Sequence, residues 1–278
     1  MTALDFAALT DALIPAVLEA GRVEMSYYES GVDVHNKADA SPVTAADQEA
    51  EVILIRALAA AAPSIAVVAE ESSAAGQIAK IGRSFFLVDP LDGTKEFIKK
   101  NGDFTINIGL ITDGRPVYGL VYAPAMDQLY VTIGENDAVE TRIAPSSTIR
   151  TLSDCQTTKL QTRTPPVGGL TALESRSHRS AATEDFLKSL PVTEVRAAGS
   201  SIKFCLIARG EADLYPRIGP TCEWDTAAAH AVLNAAGGTV LQVDGSPFVY
   251  GKADLKYLNP HFVAWGRAPQ LAPVLGSV

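Results

Sequence analysis

The sequence predicts an α/β fold whose amino-terminal half is α+β, and three observations carry that prediction. Two helical segments precede the first strand, an antiparallel meander follows, and from about Arg150 strands and helices alternate.

Residues 4 to 28 read as one helix, with Ala, Leu and Val over much of its surface and Gly21 near a bend. Ser41-Pro42-Val43-Thr44 is the entry to a second helix, Thr44 to Ala62, in which Val52, Ile55 and Leu58 recur at helical spacing. The first strand is Ile65 to Ala69, and Glu70-Glu71-Ser72 stands at its end. Phe85-Phe86-Leu87-Val88 reads as a buried strand broken by Pro90 and Gly93, after which a short helix runs to about Lys100 and stops at Asn101-Gly102. Turn signals at Asp113-Gly114, Pro124 and Gly134 then separate the strands of the meander.

Thr, Gln and Pro become frequent around Thr157 to Gly169, which marks a boundary. Beyond it come a strand at Thr171 to Leu173, a helix from Thr183 to Leu190, a strand from Val192 to Arg196, a helix from Ser200 to Ala208 and a strand from Ala212 to Tyr215. A last helix, Asp225 to Ala236, ends at Gly237-Gly238, the usual left-handed stop. We therefore expect an N-terminal α+β domain over residues 1–150 and a C-terminal α/β domain over 151–278, in keeping with a length of about two domains.

The chain is 47% hydrophobic with 7% aromatic residues, enough to bury a sizeable core and to exclude disorder. A net charge of −9, with no basic run beyond Lys99-Lys100, disfavours nucleic acid polymers and leaves a small phosphorylated substrate as the expected partner. Cys155, Cys205 and Cys222 show no C-x-x-C spacing and read as buried thiols in a reducing compartment rather than as catalytic groups. The longest uncharged stretch near the amino terminus, Ala12 to Leu18, is too short to span a bilayer and contains a proline. Cytoplasm is the expected location, with peripheral association at an inner membrane face and the oligomeric state left open.

The chemistry concentrates in Val88-Asp89-Pro90-Leu91-Asp92-Gly93-Thr94-Lys95-Glu96-Phe97-Ile98, where an apolar strand ends in two carboxylates, a turn and a helix start. Asp89 and Asp92 cannot lie side by side unless a cation separates them, because two like charges that close would drive one carboxylate to protonate. All-oxygen ligands of this kind select hard ions such as Mg²⁺, Mn²⁺ or Ca²⁺ over Zn²⁺. A bound cation would also let an acidic protein recruit a phosphate. Other acids have two readings each. Glu70-Glu71 is either part of this site or a solvated loop, Asp225 either a ligand or a helix cap, and Asp47 either a catalytic acid or a helix-surface charge.

These motifs resemble the inositol monophosphatase superfamily of lithium-sensitive, magnesium-dependent phosphatases. Asp89-Pro90-Leu91-Asp92-Gly93-Thr94 resembles its first signature, Glu223-Trp224-Asp225-Thr226-Ala227-Ala228 its second, and Glu70-Glu71 its acidic pair, over a span from Ser41 to Gly238. Within it, Lys95-Glu96-Phe97-Ile98, Gly199 to Cys205 and Asp213 to Arg217 are similar to the 3′(2′),5′-bisphosphate nucleotidases of the CysQ type.

The resemblance implies a layered αβαβα sandwich of the inositol monophosphatase/fructose-1,6-bisphosphatase type. It implies that Glu70, Asp89 and the Leu91 main-chain oxygen hold one Mg²⁺, that Asp89, Asp92 and Asp225 hold a second, and that a weaker third lies near Glu70. It further implies direct attack by water with no covalent enzyme intermediate. Thr94 paired with Asp47 would orient that water, with Glu71 as a nearby alternative, and Gly93 and Thr94 would offer backbone N–H groups to the transferred phosphate.

For a nucleotide, Lys95, Ser200, Ser201, Lys203 and Arg217 are the expected contacts, with His178 near the base. The plain alternatives are a helix cap for Ser200, solvated cations for Lys203 and Arg217, and a polar loop residue for His178. The expected reaction is Mg²⁺-dependent conversion of 3′-phosphoadenosine 5′-phosphate to AMP and phosphate, clearing a by-product of sulfate assimilation. A sister phosphatase acting on inositol phosphates, histidinol phosphate or fructose 1,6-bisphosphate is the nearer rival, and a non-catalytic module that binds metal or anions the more distant one.

Overall fold

The computed structural model describes residues 4–31, 35–36, 42–77, 79–178 and 180–267. Ser41, quoted above as part of the helix entry, and Arg179, in the polar loop around His178, lie outside them, as do both ends of the chain.

Helix α1 (Phe6–Ser30) starts where the Asp5 carboxylate accepts hydrogen bonds from the backbone N–H groups of Ala7 and Ala8. Leu13, Ile14, Val17 and Leu18 fall on one face and are buried. Gly21 is not at a bend. It lies inside this continuous helix, against the ring of Tyr122. A short ribbon of β1 (His35–Asn36) and β2 (Pro42–Val43) leads to α2 (Ala45–Ala61), which packs alongside α1.

Strand β3 (Ala66–Ala69) pairs in parallel with β4 (Ser84–Asp92), and the Glu70-Glu71-Ser72 segment forms not a loop but a short helix, α3 (Glu70–Ala74), directly at the end of β3. Strand β4 also runs further than expected. It continues through Pro90 to Asp92, because the register shift between Asp89 and Asp92 takes the proline, which has no N–H to offer, out of regular pairing. Helix α4 (Thr94–Ile98) follows.

The meander is β5 (Thr105–Thr112), β6 (Arg115–Ala123), β7 (Gln128–Gly134) and β8 (Asp137–Arg142), each strand antiparallel to the one before. Its first turn places Asp113 and Gly114 at φ 51° and 73°, the backbone that a two-residue hairpin requires. Strand β9 (Thr158–Lys159) closes a seven-stranded sheet in the order β3-β4-β5-β6-β7-β8-β9.

The second sheet is built from β10 (Leu170–Ser175), β11 (Val192–Ala198), β12 (Leu214–Arg217), β13 (Thr239–Gln242) and β14 (Phe262–Trp265), in the order β11-β10-β12-β14-β13. Only the β11-β10-β12 side is parallel, since β14 runs antiparallel to both β12 and β13. The strict alternation expected of this half therefore stops after α7 (Ala227–Ala235). Helices α5 (Ala181–Lys188) and α6 (Ile202–Ala208) complete the set.

Alternating residues of β4 assign the layers. Phe86 and Val88 join the core with α1 and α2, while Phe85 and Leu87 join the core containing α6 and α7. The far face of the second sheet packs Ala172, Leu214 and Val263 against Leu187 of α5. The order is thus α1/α2, seven-stranded sheet, α6/α7, five-stranded sheet, α5, a layered αβαβα sandwich.

Helix α7 sits unusually close to the first sheet because β5 and β6 present glycines where it crosses. A Cβ at Gly109 would stand 2.7 Å from that of Ala227, and one at Gly119 would stand 1.9 Å from the carbonyl oxygen of Ala228. No described helix is long and apolar enough to cross a membrane. Among the cysteines only Cys205 is fully buried; Cys155 and Cys222 are partly exposed.

Candidate active site

The acidic strand ends meet where the sandwich places them. Helix α2 supplies two acids one turn apart on one face. Glu51, 4% exposed, accepts from the backbone N–H groups of Glu71 and Ser72 at 2.7 and 2.8 Å and so fixes α3, and with it Glu70. Asp47 reaches back through Oδ2 to the backbone N–H and hydroxyl of Thr44, at 2.9 and 2.7 Å, closing the first turn. Its Oδ1 stands 3.4 Å from the Thr94 hydroxyl, which is also 3.4 Å from the Leu91 carbonyl and can donate to either.

On β4, the Leu91 backbone N–H donates to Asp89 Oδ1 at 3.0 Å. Gly93 then turns the chain into α4 at φ 95°, a left-handed conformation in which any Cβ would press within 2.9 Å of the Asp103 carbonyl oxygen. Asp225 comes from the other side. It does not open a helix: Thr226 precedes α7, and the Asp225 carboxylate instead accepts from the backbone N–H of Cys222 at 2.8 Å. Glu223, fully buried, pins this turn to the loop beyond β13 by accepting from the backbone N–H groups of Gly251 and Lys252 at 2.7 and 2.9 Å.

Carboxylate oxygens of Glu70, Asp89 and Asp225 all lie within 4.8 Å of one another. They share a cleft of about 200 Å³ with Leu91, Asp92, Gly93, Thr94, Lys95, His178, Ser200, Lys203 and Arg217. Three expected residues do not line it. Asp47 meets it through Thr94, and Glu71 is not in the wall. The Ser201 hydroxyl is turned away, donating to Asn107 at 2.7 Å, while its backbone N–H serves Asp92.

The cations are not solvated surface groups. Lys203 is 3% exposed, and its Nζ donates to the carbonyls of Ser200 and Ala198 and lies 4.9 Å from the centre of the Tyr215 ring. Burial lowers its pKa to about 8, against the pull of Asp92, so it stays charged at neutral pH. Arg217 is 8% exposed; one terminal nitrogen donates to the Pro220 carbonyl, and its Nε has no partner among the described residues. Ser200 adopts φ 42° and precedes the helix start. At the exposed rim, partial burial lowers the pKa of His178 to about 4, with Arg217, Lys95 and Lys203 reinforcing it, so the imidazole is neutral at pH 7.

Glu96, Ser175, Phe204, Tyr215, Thr221, Thr226 and Phe262 also line the cleft and were not expected there. Glu96 sits in the nucleotidase-like segment that follows the first signature and Thr226 inside the second, which is a usable signal; Phe262 belongs to a strand with no local signature.

The donor set fits a hard cation. Loss of solvation lifts Asp92 to about 7, Lys203 opposes the shift, and the same cause lifts Asp225 well above the carboxylate range, with Asp92 and Glu70 adding repulsion. In metal-free protein the sign follows directly. Native Asp92 holds its proton more tightly than unfolded Asp92, so the stability that this group contributes is fully present below about pH 4 and is lost as pH rises through about 7. Chelated wild type should match chelated Asp92→Asn in melting temperature near pH 4 and fall progressively below it toward pH 7; a constant gap across that range would refute the assignment.

A family model described as the inositol monophosphatase family matches residues 5–273. A 3′(2′),5′-bisphosphate nucleotidase CysQ from Shigella flexneri is 41% identical over 259 residues, covering 91% of this chain and 98% of that relative. The protein of that name from Escherichia coli K12 is 40% identical over 256 residues, with the same coverage, 91% and 98%. A crystal structure of CysQ from Bacteroides thetaiotaomicron superposes with a TM-score of 0.76 at 34% identity, covering 95% of this chain and 99% of that one. An inositol monophosphatase from Anabaena shares the fold, with a TM-score of 0.68 at 24% identity over 93% and 90% of the two chains.

Proposed function

The chain belongs to the inositol monophosphatase family, and from that membership we propose that it removes the 3′-phosphate of 3′-phosphoadenosine 5′-phosphate, giving AMP and phosphate. The observation that carries the substrate assignment is the pair of buried cations, Lys203 and Arg217, in the same cleft as the acidic cluster, because a second phosphate needs positive charge held apart from the reacting one. Similarity at about 40% identity over nearly the whole length of nucleotidases supports the same substrate class. A by-product of sulfate assimilation would thereby be recycled.

Glu70, Asp89, Asp92 and Asp225, with the Leu91 carbonyl, would hold the metal, which we assign as two Mg²⁺ ions and a weaker third near Glu70. Bound there, the ions supply positive charge to the phosphoryl oxygens and a water of lowered pKa. The protein's own groups do the rest. Thr94, donating to Asp47, leaves its oxygen lone pairs free to accept a hydrogen bond from the attacking water, and as that water's proton moves onto the Thr94 oxygen the threonine's own proton passes to the Asp47 carboxylate. Gly93 and Thr94 line the cleft at the start of α4, where their backbone N–H groups would meet the transferred phosphate. Lys203 and Arg217 hold the 5′-phosphate, and neutral His178 offers the base a hydrogen-bonding ring without a charge to desolvate.

Phosphate release with saturating Mg²⁺ tests the reading, comparing 3′-phosphoadenosine 5′-phosphate with inositol 1-phosphate, fructose 1,6-bisphosphate, histidinol phosphate and AMP. A preference in kcat/KM for the nucleotide bisphosphate of at least about tenfold, about 1.4 kcal/mol, is expected. A preference for inositol 1-phosphate would keep the metal chemistry and remove the roles of Lys203 and Arg217. Lys203→Met should raise KM for the bisphosphate by about 10- to 100-fold, the scale of one lost charged hydrogen bond, with a much smaller effect on a monophosphate; equal effects on the two would place Lys203 elsewhere.

A further inference from the structure

The segments that carry His178 and Ser200 leave the carboxyl ends of two adjacent parallel strands, β10 and β11. Two acids from the first-sheet side of the cleft fix where those segments go. Glu96, on α4 two residues after Thr94, is 4% exposed and accepts from the Ser177 hydroxyl at 2.5 Å. Asp103, between α4 and β5, is 8% exposed. Its Oδ2 accepts three hydrogen bonds, from Arg176 Nε at 3.0 Å, from Arg176 Nη2 at 2.8 Å and from the backbone N–H of Gly199 at 2.9 Å. The fit leaves no slack, since a Cβ on Gly199 would stand 2.5 Å from that of Asp103 and 2.7 Å from Glu96 Cγ. The residues immediately before His178 and Ser200 are therefore held by the same short stretch of chain that carries Thr94.

We propose that Glu96 and Asp103 are positioning residues for substrate selection, acting as a latch that sets the distance and angle between the catalytic turn and the wall that receives the nucleoside and its second phosphate. This rests on the nucleotidase reading above. A substrate with two phosphates must satisfy both walls at once, so it loses binding when their spacing relaxes. A small monoester engages only the catalytic turn and is indifferent to the latch.

Ser177→Ala removes the donor to Glu96, and Arg176→Ala removes two of the three donors to Asp103, while every acid stays in place. Each should raise KM for 3′-phosphoadenosine 5′-phosphate by about tenfold with kcat within about twofold, and leave kcat/KM for p-nitrophenyl phosphate within about twofold. Ser177→Thr keeps the hydroxyl and should restore the wild-type KM. The latch is overturned if both alanine variants leave KM for the bisphosphate unchanged, or if both substrates lose in equal proportion, which is the mark of a merely structural role. Wild-type enzyme without a preference for the bisphosphate over the aryl phosphate overturns instead the nucleotidase reading, and the selecting role with it; a wild-type preference that survives both variants overturns the latch alone.

Discussion

Asp89→Asn lowers kcat/KM for the nucleotide by at least about 10³-fold, on the scale of the several kcal/mol that a metal site contributes to the transition state. Asp89 is 1% exposed and stands within the group of three acids whose oxygens crowd inside 4.8 Å. The amide has nearly the same shape, so the core is not disturbed, but it removes the charge around which the cation site is built. The stability effect has the opposite sign. Without metal, the wild type carries like charges at close range, and the amide relieves that repulsion, so chelated Asp89→Asn melts at or above chelated wild type. The decisive measurement is melting temperature with and without Mg²⁺. Wild type should gain strongly on adding Mg²⁺ and the variant hardly at all; a variant that keeps both the gain and most of the rate would place the metal elsewhere.

Gly119→Ala is the substitution expected to damage the fold most. The new methyl would stand 1.9 Å from the Ala228 carbonyl oxygen, a backbone atom with no rotamer in which to escape, so α7 must lift off β6. Overpacking costs about 1–3 kcal/mol where side chains can adjust, and here a cost of at least about 3 kcal/mol is expected. In a chain of this size that lowers the melting temperature by about 10 °C. Activity should fall further than stability explains, because Asp225 lies just ahead of α7 and moves with it. Gly82→Ala, which meets nothing within 4 Å, is the control and should melt within about 2 °C of wild type. A Gly119→Ala enzyme with normal activity and melting temperature would mean that the close seating of α7 is unimportant.

What the sequence reveals and what it hides divide along the range of the interactions. The acidic turn from Asp89 to Thr94 is legible because its strand, carboxylates and glycine are neighbours in the chain, and the meander is legible because each turn carries its own signal at Asp113-Gly114, Pro124 and Gly134. Asp225 is harder. Asp225 and Thr226 are both good capping residues, and only the hydrogen bond from Cys222 decides that the aspartate closes a turn while the helix waits for Ala227. Strands β13 and β14 are hidden because they carry no local signature and their pairing, with each other and with β12, joins segments far apart in the chain. The buried positions of Lys203 and Arg217, and the inward turn of Ser201 toward Asn107, are likewise facts of packing that no periodicity announces.

Asp47 divides its two oxygens between scaffold and chemistry, one closing the first turn of α2 on Thr44 and the other facing Thr94. A helix terminus is the part of a helix that frays first. Were this end to open, the carboxylate would swing away and the Thr94 hydroxyl would be left with the Leu91 carbonyl as its acceptor, although the core beneath stays intact. Turnover thus becomes a gauge of local order. On warming, the rate should begin to decline before the global melting transition, and a weaker cap at Thr44 should advance that decline by more than it lowers the melting temperature.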